Sequence, residues 1–379
     1  MAVLSHAGSA CLAVSVTLPF PVWLNLLLSS RVKLTYRFGV YLIETLCSGF
    51  RSGYGKLPAH LQWVFTLKQF QIMEEIKETL AQEPTAAHKA GFVNIVGNPN
   101  VGKSTLMNDL VGERISIITS KAQTTRHRIM GIVNTPEYQI VYSDTPGVLK
   151  PKYKLQESML EFSEGALTDA DILLYVTDVV EDPEKNKDFL DRVAKEKVPV
   201  LLVINKIDLL KGDGELEALV EQWHNRLPNA EIFPTSATQH FNIDNLKKRI
   251  VELLPVNPPF FGKDALTDKP ARFFVTEIIR EKLLLNYDKE IPYSTEVLVE
   301  KFEEKENAIH IMSVIYVERD SQKGIIIGKG GEKIKKVGIE ARQDIEQFFG
   351  KKVFLEIFVK VEKDWRNREN KLRAFGYIE

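Results

Sequence analysis

Cysteine is nearly missing: the chain of 379 residues holds two, Cys11 and Cys47. Everything after residue 50 therefore lacks an intrachain disulfide and a cysteine-ligated metal site, and a reducing compartment is the natural setting. An excess of charge of one sign is lacking too. Fifty Lys and Arg against 51 Asp and Glu leave a formal net charge of -1, so any preference for an anionic partner has to be regional. No internal repeat or low-complexity tract breaks the chain, and 44% hydrophobic with 27% charged residues is the balance of a soluble globular protein. The length suggests two domains with something extra.

Long apolar runs are confined to the first residues. Residues 11–30, CLAVSVTLPFPVWLNLLLSS, raise a membrane question, but Pro19 and Pro21 break the run and Ser, Thr and Asn dilute it, which argues against a spanning helix. No basic segment precedes it, which argues against a secretory signal. Arg31, Lys33, Arg37, Arg51, Lys56 and Lys68 face the single acid Glu44, so an organellar transit peptide is one reading of residues 1–72. A start codon assigned too far upstream, with Met73 as the first residue, is the preferred one. A third keeps the apolar segment as a peripheral anchor at the inner face of the cell membrane.

From Gly91 the pattern changes to short apolar runs alternating with amphipathic stretches. Strands are expected at 92–97, 138–144, 171–179, 198–206 and 230–237, with helices near 103–112, 154–168, 183–196, 214–226 and 242–254. Such alternation predicts an α/β fold, a mostly parallel sheet with helices on both faces. Pro255, Pro258, Pro259 and Pro270 then mark an interdomain linker. After it a helix at 272–287, strands near 294–304, 308–318 and 352–361, and helical sequence around a glycine turn predict a second domain of α+β type.

The phosphate chemistry is explicit. Gly97-Asn98-Pro99-Asn100-Val101-Gly102-Lys103-Ser104 is a complete G-x-x-x-x-G-K-S loop between a predicted strand and a predicted helix. Its glycines let backbone N–H groups converge on phosphate oxygens, Lys103 reaches the β and γ phosphates, and the Ser104 hydroxyl is a ligand for Mg²⁺. The base is read further on. Asn205-Lys206-Ile207-Asp208 ends a predicted strand, where the Asp208 carboxylate can accept from the ring N–H and the exocyclic amine of guanine; adenine offers neither donor there. Ser236 and Ala237, after another strand, support the base. Asp144-Thr145-Pro146-Gly147 follows the strand YQIVYS, placing a carboxylate near the metal and the Gly147 N–H near the γ phosphate. Between loop and switch, Thr124 or Thr125 supplies a second hydroxyl to Mg²⁺, with Thr125 preferred. Five segments in this order predict a GTPase, with Lys103, Thr125 and Gly147 as its catalytic set.

In the second domain, Gly328-Lys329-Gly330-Gly331 lies between an apolar run and a helix, the arrangement of the G-x-x-G loop of a KH fold, which lets a sugar-phosphate chain approach the backbone closely. Lys and Arg number 14 against 9 Asp and Glu in residues 321–379, a local charge of +5. Lys329, Lys333 and Lys336 crowd the loop and the following helix, which suits phosphate contacts and predicts salt-sensitive RNA binding. His127 is expected to make a solvent or backbone contact, His310 to be a strand residue, and Trp365 to be a packing anchor.

GNPNVGKS, TTR, DTPG, NKID and TSA, together with KAQTTRHRI and GIEAR, resemble the translation-factor-related GTPases and, within them, the Era family of bacterial ribosome-assembly GTPases. The resemblance runs from about residue 90 to the end. It implies a GTPase domain at 88–256, a linker at 257–271 and a type II KH domain at 272–379, with residues 1–72 unassigned. It further implies a cytoplasmic monomer that binds GTP and GDP, contacts 16S rRNA and acts in 16S rRNA processing and small-subunit assembly. One position departs from Ras-like switches: the glutamine that orients water there is Val148 here, which predicts slow intrinsic hydrolysis. Relatives with that replacement imply K⁺ recruited through Asn100. Two rivals stand beside this reading: an RNA-binding protein whose nucleotide site only stabilises its fold, and the membrane-anchored GTPase.

Overall fold

A computed structural model describes residues 88–182 and 184–378; the leader readings, Met73 included, concern residues outside this set. The first domain is a six-stranded sheet in the order β2-β3-β1-β4-β5-β6. Its strands are β1 (Lys89–Gly97), β2 (Ile129–Asn134), β3 (Tyr138–Asp144), β4 (Ile172–Asp178), β5 (Val200–Asn205) and β6 (Glu231–Pro234). All neighbours are parallel except β2 and β3. The central strand β4 reads ILLYVTD and is buried along its whole length, the near-continuous apolar run of a strand covered on both faces. Helices α1 (Lys103–Val111), α2 (Lys154–Thr168), α3 (Lys187–Val193), α4 (Glu215–Arg226) and α5 (Ile243–Leu253) supply those covers. Two apolar clusters result: Val93, Ile95, Leu106 and Ile250 on one side of the sheet, Val96, Leu173, Leu190 and Trp223 on the other.

The expected strands and helices are all present, with ends shifted by a few residues. The addition is β2, an antiparallel edge strand whose sequence IMGIVN follows directly on the threonine segment. The linker covers that edge. Ile132 N–H donates to the Leu266 carbonyl (2.8 Å), Met130 N–H to Asp268 (2.9 Å), and Gln139 Oε1 accepts from the N–H groups of Phe260 (2.7 Å) and Phe261 (3.0 Å). A segment marked by its prolines as a connector is thus bonded to the sheet edge, which also shields that edge from other strands.

The second domain runs α6 (Ala271–Asn286), β7 (Glu296–Glu304), β8 (Ala308–Val317), α7 (Asp320–Ile327), α8 (Glu332–Phe349), β9 (Lys352–Val361) and α9 (Glu369–Ala374). Strand β8 pairs antiparallel with β7 and parallel with β9. Its core, with Ile279 and Leu283 from α6, Ile309 and Ile315 from β8 and Val337 and Ala341 from α8, places the helices on one face of the sheet. The C-terminal segment returns to the first domain, where Trp365, Leu372 and Tyr377 pack with Leu155 and Met159 of α2.

Candidate nucleotide site and its interdomain wall

The phosphate loop sits at the carboxyl end of β1, where open α/β sheets bind ligands. Both of its glycines are required sterically. Gly97 has φ +147° and a Cβ there would stand 2.1 Å from the Val176 carbonyl oxygen; Gly102 has φ +98° and its Cβ would meet Asn205 Nδ2 at 2.2 Å. The second contact shows how the loop is locked to the base-reading segment. Asn205 donates to the Val101 carbonyl (2.9 Å) and accepts from the Ala237 N–H (3.0 Å), while Lys206 Nζ reaches Asp178 (2.8 Å) and the Asn100 carbonyl (2.5 Å). Ser236 Oγ donates to Asp208 Oδ1 at 2.6 Å, fixing the carboxylate at the mouth of a cavity of about 220 Å³ bordered by Gly102, Asn205, Asp208 and Thr238. Ile207 is half-buried beneath it.

A second cavity of about 330 Å³ lies over Lys103, Ser104, Thr125 and Gly147. Lys103 Nζ donates to the carbonyls of Gly97 (3.1 Å) and Asn98 (2.8 Å), and burial pulls its pKa down to about 8. Ser104 Oγ stands 2.8 Å from Thr125 Oγ1 and 2.6 Å from Asp144 Oδ2; Thr125 is 3.2 Å from the same oxygen. Thr124 turns away, to Thr119 and the Lys121 carbonyl. Burial pushes the Asp144 carboxyl above its usual range against the nearby Lys103 ammonium, and its Oδ1 is buried without a partner among the described residues. Two hydroxyls gathered on one carboxylate oxygen, with the other oxygen orphaned, are hard oxygen donors of the kind Mg²⁺ takes, so the residues fit that ion.

Thr145 Oγ1 donates to the Ile95 carbonyl (2.8 Å), and the Pro146 carbonyl accepts from Ser163. Gly147 lies against the loop so closely that a Cβ would sit 2.6 Å from Pro99 N and Cα. Val148 donates its N–H to the Gly97 carbonyl and buries its side chain in the core. Of the nucleotide-site residues expected from sequence, Pro99, Asn100, Gly102, Lys103, Ser104, Thr125, Gly147, Asn205, Lys206 and Asp208 line these two cavities. Gly97, Asn98, Val101, Asp144, Ser236 and Ala237 bond to that lining, whereas Thr145, Pro146, Val148 and Ile207 line neither. Sequence reasoning missed the support beneath them: Asn98 donates to Glu181 and accepts from Asn186, which also donates to the Val148 carbonyl.

It also missed the wall. Residues 118–127 face the second domain. Arg126, fully buried, donates to Glu296 (2.9 Å) and to the carbonyls of Thr295 (2.8 Å), Pro292 (3.2 Å) and Tyr293 (3.4 Å), and Tyr377 OH donates to the same Glu296 carboxylate (2.8 Å). Arg280 of α6 pairs with Glu277 (2.7 Å) and donates to the carbonyls of Gln123 and Thr124. Burial works against ionising Glu277, but the groups around it, the Arg280 guanidinium first among them, together outweigh it and hold that carboxyl below its usual range. Lys121 and Arg114 reach Asp288 and Glu281. His127 is not at the solvent or simple backbone contact expected: it is half-buried and stacked on Tyr377 at 4.2 Å, and desolvation by the groups packed around it pulls its pKa down to about 3. The signal was the TTR sequence itself, but the partners lie about 170 residues away.

Gly328, Gly330 and Gly331 all have φ between +63° and +82°, and Lys329, Lys333 and Lys336 are exposed around them. Ile325 and Ile339 lie exposed on α7 and α8, the helices that flank the loop. Trp365 is buried, its indole N–H donating to the Ser294 carbonyl (3.1 Å), and His310 is a strand residue stacked on Phe354.

Residues 92–206 match the family described as 50S ribosome-binding GTPase, and residues 290–366 match the KH domain. The chain is similar to Era solved in complex with MgGDPNP and nucleotides 1506–1542 of 16S ribosomal RNA, and to a single-residue variant of Aquifex aeolicus Era bound to GDP·AlF4⁻. In each case identity is 40%, the TM-score is 0.74, and the alignment covers 77% of this chain and 100% of the other. A GTPase domain followed by a KH domain, matched along the full length of those proteins, makes this chain a member of the Era family.

Proposed function

We propose that the chain is a GTP-hydrolysing switch that binds 16S rRNA of the small ribosomal subunit through its KH loop and acts in 16S rRNA processing and small-subunit assembly. The observation that carries this is the relative 40% identical over its whole length and solved with both MgGDPNP and a 16S rRNA fragment. The loop geometry supports it: three glycines at positive φ leave the backbone bare beside exposed lysines. Gly331 has open space where a Cβ would stand, whereas a Cβ on Gly328 would meet Lys333 at 2.8 Å. Gly331→Asp is therefore the cleaner probe. It should reduce binding of a 3′-terminal 16S fragment by tenfold or more while leaving GDP affinity unchanged; unaltered RNA affinity would refute the loop's role.

In this reading Ser104, Thr125 and Asp144 hold Mg²⁺, which when bound neutralises charge on the β and γ phosphates. Hydrolysis is slow because Val148, buried in the core, offers nothing to orient water. Asn100, exposed at φ +67°, holds K⁺, and equal turnover in KCl and NaCl would remove that assignment. The protein is a cytoplasmic monomer, with peripheral contact at the membrane as the alternative. Among the described residues no helix is long and apolar enough to cross a membrane. Fractionating cells with and without residues 1–72 tests localisation.

A further inference from the structure

We propose that Arg280, in the second domain, is a positioning residue for the GTPase site in the first. Thr125 faces Ser104 and Asp144, and the two carbonyls immediately before it, Gln123 and Thr124, accept hydrogen bonds from the Arg280 guanidinium. Gln123 has φ +56°, a conformation that a non-glycine residue keeps only where its surroundings impose it. Arg280 is itself aimed: 1% exposed, it is gripped by Glu277 through Nε (2.9 Å) and Nη2 (2.7 Å), three residues earlier on α6. A planar fork held from one side presents its remaining donors to the two carbonyls in one geometry, which a lysine ammonium cannot reproduce. The hydroxyl at Thr125 is therefore placed by the helix that opens the RNA-binding domain. The triphosphate-sensing side of the site is incomplete without that domain.

The inference rests on Thr125 facing the γ-phosphate and metal side of the cavity, as proposed above, and not on RNA binding, so its test uses the full chain without RNA. Arg280→Met leaves Glu277 buried and unpaired, so the double variant Arg280→Met, Glu277→Met is measured alongside it, with Arg280→Lys as the conservative change. Calorimetry in Mg²⁺ gives the affinity for a non-hydrolysable GTP analogue and for GDP, and phosphate release gives kcat. The expected result is GDP affinity within about twofold of wild type in the double variant, with analogue affinity and kcat each lower by about tenfold, the scale of one charge-assisted hydrogen bond at the weak end of its range. The lysine variant should lie with the methionine variants. An unchanged ratio of analogue to GDP affinity overturns the proposal. So does a parallel loss of both affinities, which would show that Arg280 holds the fold and does not place Thr125.

Discussion

Replacing Arg126 with methionine isolates the interdomain wall in a stability measurement. The guanidinium is fully buried between domains and donates to the Glu296 carboxylate and to three backbone carbonyls. Methionine matches much of its length but returns none of these bonds, and it leaves the Glu296 carboxyl, 2% exposed, with only Tyr377 OH for a partner among the described residues. Removing one member of a buried pair costs about 3–5 kcal/mol, a large part of the 5–15 kcal/mol or so that a folded protein typically has. The second substitution, Glu296→Gln, keeps a group that can pair with Tyr377 and removes the orphaned charge. The double variant should recover about 2 kcal/mol of the loss, a coupling typical of residues in contact.

The deficit should depend on pH. Burial already holds the Glu296 carboxyl above its ordinary value of 4.5, with Arg126 drawing it back; without Arg126 it moves higher. A carboxyl whose folded value exceeds its unfolded one binds its proton first in the folded state. The folded variant therefore carries little penalty below the unfolded value and loses stability as pH rises through the folded one. Urea unfolding of wild type, both single variants and the double, at pH 5 and pH 8, completes the cycle, with buried Trp223 and Trp365 reporting on the first domain and the C-terminal segment. A single-variant loss below about 1 kcal/mol, an equal deficit at both pH values, or a double variant weaker than the single would refute the argument.

Gly147→Ala puts a Cβ 2.6 Å from backbone atoms of Pro99, so the switch peptide has to retreat from the phosphate loop. Hydrolysis should fall by about 10²-fold, the scale for a misplacement near 1 Å, while GDP affinity stays within a few-fold; phosphate release and calorimetry check both, and wild-type turnover would contradict the close approach. Asp208→Asn exchanges an acceptor for a donor where the guanine N–H groups point. Guanine affinity should fall by about 10⁴ while a xanthine nucleotide, with a carbonyl at that edge, gains. Competition between GDP and xanthosine diphosphate checks it, and undiminished GDP affinity would exclude Asp208 as the base reader.

The legible parts of the chain were those where chemistry is local. The phosphate loop needs its glycines within six residues, and β4 declares its burial by seven consecutive core positions. The preference for Thr125 over Thr124 agrees with the geometry, in which Thr125 turns to Ser104. Strand β2 was hidden because an edge strand needs no continuous apolar run, and its sequence served equally as the tail of a switch. His127 looked polar by type and is half-buried because Tyr377, 250 residues later, stacks on it. Of the charged quartet of Arg126, Arg280, Glu277 and Glu296, only Arg126 carried a signal, its place in TTR; the other three read as solvated surface charges, and only the fold brings all four out of water together.

That quartet changes where coupling between nucleotide and RNA has to run. A switch acting through the proline-rich linker needs the linker to bend, yet residues 260–268 are bonded to the sheet edge by backbone and side-chain contacts on β2 and β3. Shifting it would break several of these at once with nothing at the nucleotide to offset them. The segment 118–127 has the opposite character. Its Thr125 faces the phosphate cavity, and its neighbours on either side are held by the second domain through Arg280, Arg126 and Tyr377. Any movement that withdraws Thr125 must reshape those bonds, and any ligand that moves α6 or β7 must disturb Thr125. Two sites sharing one segment are linked in both directions with equal free energy, so RNA should favour the triphosphate state by the factor that the triphosphate favours RNA.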